Sequence, residues 1–163
     1  VRCNIGGGSI CSTRIQTGHG MPGFQTIVEC AKTDRDVAII ADGGIRNAGD
    51  IVKALAAGAD AVMCGSLLSG TYETPGAVLK DKYGSWKVYR GMASKEAQMN
   101  WKGDYSSYVD DILADLERNI RSGLSYSGAR SIRELQATSV FIRQTSAGVT
   151  ESNTHIASKS RKW

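Results

Sequence analysis

The sequence predicts an α/β fold built on parallel strands joined by right-handed crossovers. Three observations predict it. Val37-Ala-Ile-Ile-Ala41 is a continuous, β-branched apolar run, the pattern of a parallel strand buried on both faces. Ala59-Asp-Ala-Val-Met-Cys64 is a second such run, with a helix-length segment between the two. Glycines follow both runs, as Asp42-Gly-Gly44 and Gly65-Ser66. The ligand-binding loops are therefore expected at the C-terminal ends of the strands.

Each element has its own signal. Residues 1–5 are expected to end a strand that feeds Ile5-Gly-Gly-Gly-Ser-Ile-Cys-Ser-Thr-Arg14. Three glycines leave backbone N–H groups uncovered, as a loop cradling an anion requires. Ser9 adds a hydroxyl, Cys11 a nucleophile, Thr13 a polar donor and Arg14 a fixed charge. Residues 15–22 are turn-rich, and Gly18, Gly20 and Pro22 exclude a long helix there. Pro22 is placed to start a helix over about 23–33, with Phe24, Ile27, Val28 and Ala31 on one face. Asn47 caps a helix over 48–57, closed by Gly58.

The second half changes character. Residues 70–76 read as a loop, and Ala77–Lys80 with Ser85–Tyr89 as a small hairpin around Lys82-Tyr-Gly84. From Ser107 a helix follows: Val109, Ile112, Leu113, Leu116 and Ile120 form one stripe, Asp110 and Asp111 suit its N-terminal dipole, and Gly123 is expected to end it. Ser131-Ile-Arg-Glu134 is a capping box for a short helix to about 138. Phe141 to Ile156 reads as a mostly extended tail. There is no internal repeat.

Composition narrows the function. With 163 residues, 41% apolar and 22% charged, the chain is sized for one domain with a core. Three of the four net positive charges come from Lys159-Ser-Arg-Lys-Trp163, so the body is nearly neutral and a nucleic-acid partner has little support. No apolar run approaches the ~20 residues of a membrane span, and Val-Arg-Cys-Asn at the start has no signal-peptide pattern. Four cysteines without a CxxC pair, beside only His19 and His155, argue against zinc and for a reducing, cytoplasmic setting. Cys3, Cys30 and Cys64 read as structural, and Cys11 stands out through its neighbours.

Five segments converge on a known family. Gly6-Gly-Gly-Ser-Ile-Cys-Ser-Thr-Arg14, Ile40-Ala-Asp-Gly-Gly-Ile-Arg46, Gly49-Asp-Ile-Val-Lys-Ala-Leu-Ala-Ala-Gly-Ala-Asp60, Gly65-Ser-Leu-Leu68 and Tyr89-Arg-Gly-Met92 resemble, in order, the IMP dehydrogenase/GMP reductase family. The resemblance implies that residues 1–156 form the C-terminal portion of a (β/α)8 TIM barrel, followed by a basic tail at 157–163. The strands near residues 40 and 62 would be the seventh and eighth, and the nucleophilic cysteine would follow the sixth. Ser9, Gly44, Gly65, Ser66 and Tyr89 match positions holding a nucleotide 5′-phosphate, with Gly43 in the same turn. Asp42 matches the carboxylate on the ribose hydroxyls, and Gly91 and Met92 match backbone positions facing the purine. The plainer readings are strand-end turns for the glycines, a cap for Asp42 and simple packing for Tyr89.

The family's chemistry would run through Cys11, whose thiolate adds to purine C2, with Thr13 in a polar relay and hydride exchanged with NAD(P)(H). The alternative for Cys11 is a buried structural thiol. Carbonyls of Gly6, Gly8 and Cys11 match a potassium site, and Glu151, Ser152 and Asn153 match a tail completing it from a neighbouring subunit of a homotetramer. The plain alternative is a polar C-terminus.

The sequence departs from the family twice. Only three of eight strands can be placed, so the remaining barrel strands are expected in the same or another chain. The catalytic flap is nearly absent, since Asn100-Trp-Lys-Gly-Asp-Tyr-Ser-Ser-Tyr108 stands where relatives carry many more residues. Thr13-Arg-Ile-Gln-Thr-Gly18 leans towards GMP reductase; Asp42-Gly-Gly-Ile-Arg46, Arg90-Gly-Met92 and the Glu151-Ser152 tail lean towards IMP dehydrogenase. The balance falls slightly on the reductase. A non-catalytic nucleotide-binding module is the alternative of a different class.

Overall fold

The computed structural model describes residues 1–82, 84–90, 98–99 and 107–152. Its centre is a three-stranded parallel sheet of β1 (Arg2–Cys3), β2 (Ile40–Asp42) and β3 (Ala61–Met63), in that order. Cys3 pairs with Ala41, and Asp42 with Met63, so the strands end side by side. The connections are helical. After β1 come α1 (Thr13–Thr17) and α2 (Gly23–Cys30), and α3 (Ala48–Ala56) links β2 to β3. Beyond the sheet lie a hairpin, β4 (Leu79–Asp81) with β5 (Gly84–Trp86), and a second antiparallel pair, β6 (Tyr89–Arg90) with β7 (Gln98–Met99). Helices α4 (Val109–Tyr126), α5 (Ile132–Thr138) and α6 (Ser146–Glu151) complete the order.

Local signals set several boundaries. Pro22 stands at the N-cap of α2. Asn47 accepts the Asp50 N–H at 2.9 Å and so caps α3. Ser131 caps α5, its Oγ accepting the Glu134 N–H, while Glu134 Oε2 reaches one residue beyond the cap and accepts the Arg130 N–H. The core lies where α3, α4 and α5 meet the sheet, around Ala41, Ile51, Leu55, Ala59 and Leu135.

Three expectations need correction. The apolar run at 37–41 is not buried on both faces: the strand begins only at Ile40, Ile39 and Ala41 are buried, and Val37 is exposed. Helices cover one face of this sheet, and burial alternates accordingly. Gly123 does not end α4, which runs on to Tyr126 and stops at Ser127-Gly128. It is there for packing, since a β-carbon on Gly123 would lie 2.7 Å from Val52 Cγ2 on α3. The tail after Phe141 is not simply extended, because Thr145 Oγ1 accepts the Gly148 N–H and starts α6. No long helix forms at 15–22, as expected; the five-residue α1 overlaps its start and is ended by Gly18 in the left-handed region.

Candidate functional site

Parallel, in-register strands put three loops on one edge of the sheet. The glycine loop follows β1, Asp42-Gly-Gly44 ends β2 and Gly65-Ser66 follows β3. The first two are in direct contact. Gly43 adopts φ +85°, and a β-carbon there would stand 2.8 Å from the Gly8 nitrogen. Only glycine lets the β2 turn lie flat against the glycine loop. The third loop meets Tyr89: a β-carbon on Gly65 would lie 3.0 Å from the Tyr89 hydroxyl. Among the described residues, the hydroxyls of Ser9, Ser66 and Tyr89 have no hydrogen-bond partner.

Cys11 is half-buried in the loop, its N–H donating to the Gly8 carbonyl at 3.1 Å. Its sulfur lies 3.1 Å from Thr13 Oγ1. That hydroxyl, followed by the Thr13 backbone N–H, holds the thiol below its ordinary pKa, and Arg14 adds a smaller push in the same direction. Burial has the opposite effect elsewhere: it pushes Cys3 up to about 11, with Cys30 adding to the rise, and it raises Cys64. Of these three thiols, Cys11 is the one poised as a nucleophile.

Arg14 has a different main task from the one its charge suggests. Its Nε donates to the Ile5 carbonyl at 2.8 Å and its Nη2 to the Met21 carbonyl at 2.6 Å, clamping the two ends of the loop region. Nη2 also reaches Asn4 Oδ1. Asn4, at φ +115°, donates from Nδ2 to the Asp42 carbonyl and so ties the loop to β2. Asp42 itself is engaged by Arg2, whose Nε and Nη2 both reach Oδ2, at 3.0 and 2.5 Å. Oδ1 has no partner among the described residues. Sequence reasoning missed Arg2 and Asn4. An asparagine directly before a glycine loop was the available signal, since asparagine tolerates positive φ.

The description "IMP dehydrogenase / GMP reductase domain" is that of a protein-family profile which matches residues 1–155. The chain belongs to the IMP dehydrogenase/GMP reductase family. It is 42% identical to inosine-5′-monophosphate dehydrogenase of Nitrosopumilus maritimus over 95% of this chain and 38% of that protein. The same enzyme of Aquifex aeolicus is 43% identical, over 95% of this chain and 36% of that protein. Among solved structures, a variant GMP reductase from Trypanosoma brucei in complex with guanosine 5′-monophosphate superposes with a TM-score of 0.88 at 39% identity. It covers 94% of this chain and 36% of its own. Inosine 5′-monophosphate dehydrogenase from Legionella pneumophila gives 0.77 at 45% identity, covering 90% of this chain and 50% of its own. The chain thus spans well under half the length of the curated relatives it matches.

Family membership implies a nicotinamide cofactor in general terms. A cavity of about 420 Å³ opens beside the glycine loop, lined among others by Asn4, Gly7, Phe24, Asp42 and Lys53, and Cys11 is outside its lining. The carbonyls expected to hold potassium, those of Gly6, Gly8 and Cys11, belong to one loop segment, in which the Gly8 carbonyl accepts the Cys11 N–H. The tail, expected to reach the site of a neighbouring subunit, is engaged with its own helix: Ser152 Oγ accepts from Gln144 and donates to the Gly148 carbonyl, and Asn153 lies outside the described residues. Gly91 and Met92 lie outside them as well.

Proposed function

We propose that this chain carries the nucleotide-binding half-site of a purine-nucleotide oxidoreductase, on the C-terminal portion of a (β/α)8 barrel. In this reading β1, β2 and β3 are its sixth, seventh and eighth strands, and residues 1–156 the barrel portion. The observation that supports it is the shared edge: a thiol lowered in pKa by Thr13, the Asp42 carboxylate and the Gly65-Ser66 turn all follow adjacent parallel strand ends. Barrels of this type bind phosphate after their last two strands.

The roles follow from the chemistry of each group. Ser9, Gly44, Gly65, Ser66 and Tyr89 take the 5′-phosphate through hydroxyls and backbone N–H groups, and Asp42 Oδ1 accepts from the ribose hydroxyls. The Cys11 thiolate adds to C2 of the purine ring, forming the S–C2 bond. With GMP, the 2-amino group takes a proton, the C2–N bond breaks and ammonia leaves. Thr13 Oγ1 donates to the thiolate and fixes its direction. The nicotinamide, which the rest of the barrel in the same or another chain would hold, would supply the hydride at C2; the S–C2 bond then breaks, which returns the Cys11 thiolate and releases the product.

GMP reduction is the first reading, supported by Thr17-Gly18 and by the close superposition on a GMP-bound GMP reductase. IMP dehydrogenation is the second, supported by the names of the relatives that are 42% and 43% identical. Absorbance at 340 nm (the reduced nicotinamide band) separates them in the protein as its cell makes it. A fall with GMP and NADPH is expected; a rise with IMP and NAD instead selects the dehydrogenase. Nucleotide binding with neither change would leave a non-catalytic binding module.

A further inference from the structure

Lys87 is only 5% exposed, an unusual state for a lysine. Its ammonium donates to the Tyr72 carbonyl at 3.2 Å and to the Thr74 carbonyl. This buried charge therefore grips the backbone of the loop after β3. The same loop is fastened to the Gly65-Ser66 turn. Leu68 N–H donates to the Gly65 carbonyl at 3.0 Å, and the Leu68 carbonyl accepts from both Thr71 Oγ1 at 3.0 Å and Thr74 Oγ1 at 2.8 Å. Two residues beyond Lys87, which lies between β5 and β6, the Tyr89 hydroxyl stands beside Gly65. The contacts form a closed circuit from Gly65 through Leu68, Thr74 and Lys87 to Tyr89 and back.

We propose that Lys87 is a positioning residue that holds the Tyr89 hydroxyl at the Gly65-Ser66 turn and thereby sets the strength of 5′-phosphate binding. The proposal rests on the nucleotide site described above. Tyr89 is 24 residues from Gly65 in sequence (89 − 65), and among the described residues its short strand pairs with β7 alone. The lysine links that strand to the turn it must face. Loss of the ammonium would free the loop from the strand, and the hydroxyl would no longer be held at the turn.

The test compares binding of GMP and guanosine, by calorimetry, to the protein as its cell makes it and to Lys87→Met. A hydrogen bond to a charged phosphate is lost, so GMP is expected to bind about tenfold more weakly while guanosine stays within about twofold. In a Tyr89→Phe background, Lys87→Met is expected to add less than about twofold, because the hydroxyl it positions is gone. If Lys87→Met does not fold, Thr74→Val breaks the same circuit at its hydroxyl and is judged by the same selectivity. Unchanged GMP binding, or equal losses for GMP and guanosine, would overturn the proposal. Unmodified protein that binds GMP no better than guanosine would instead overturn the phosphate site itself.

Discussion

At the scale of single residues, the chain sorts its thiols by environment. Cys11 sits on the Thr13 hydroxyl and is pulled below the ordinary thiol pKa; Cys3 and Cys64 are pushed above it by burial. A lowered pKa means that thiolate accumulates at lower pH, and the thiolate is the species that alkylates. Iodoacetamide near neutral pH is therefore expected to modify Cys11 ahead of Cys3 and Cys64, as read by peptide mass spectrometry. Thr13→Val removes the leading cause, so the pH–rate curve of Cys11 should move upward. A curve that stays in place would show that the Thr13 hydroxyl does not control the thiol, leaving the Thr13 backbone N–H and Arg14, which the substitution keeps. The sequence displayed Cys11 and its neighbour two residues away. It did not display that Arg14 spends its donors on Ile5 and Met21, because those contacts exist only once the loop has closed.

At the scale of elements, caps were legible and packing was not. Asn47 and Ser131 act within four residues of sequence, so their motifs predict both helix starts. Ser131→Ala should cost about 1 kcal/mol of stability, measurable as a lower urea midpoint with an unchanged slope. Gly123 was misread because its reason lies on another helix, at Val52. Gly123→Ala gains about 1 kcal/mol of helix propensity but overpacks the α3–α4 contact, so a net loss of roughly 1 kcal/mol is expected. The cycle with Val52→Ala decides it: Gly123→Ala should become stabilising once the valine branches are gone. Additive effects would contradict the packing account. Helices α1 and α6 were missed because five- and six-residue helices carry too little apolar periodicity to register. The Thr145 cap was the one local hint of α6.

At the scale of the whole molecule, the parallel order was readable from two apolar runs and the glycines after them. The contact between Gly43 and the Gly7-Gly8 backbone was not, since no local pattern tells which two loops will touch. That contact sets the Asp42 turn directly against the loop that bears Cys11. Met63, on β3, is more than a third exposed, as it would be on a face that the further strands of the proposed barrel cover. The central claim is that Cys11 forms the bond to C2. It is tested most directly by Cys11→Ala in the protein as its cell makes it, with GMP binding and 340 nm turnover measured side by side. The account predicts GMP binding within about threefold of the unmodified protein, since the phosphate and ribose contacts persist, and no detectable turnover. Turnover that survives the loss of the Cys11 sulfur would contradict it.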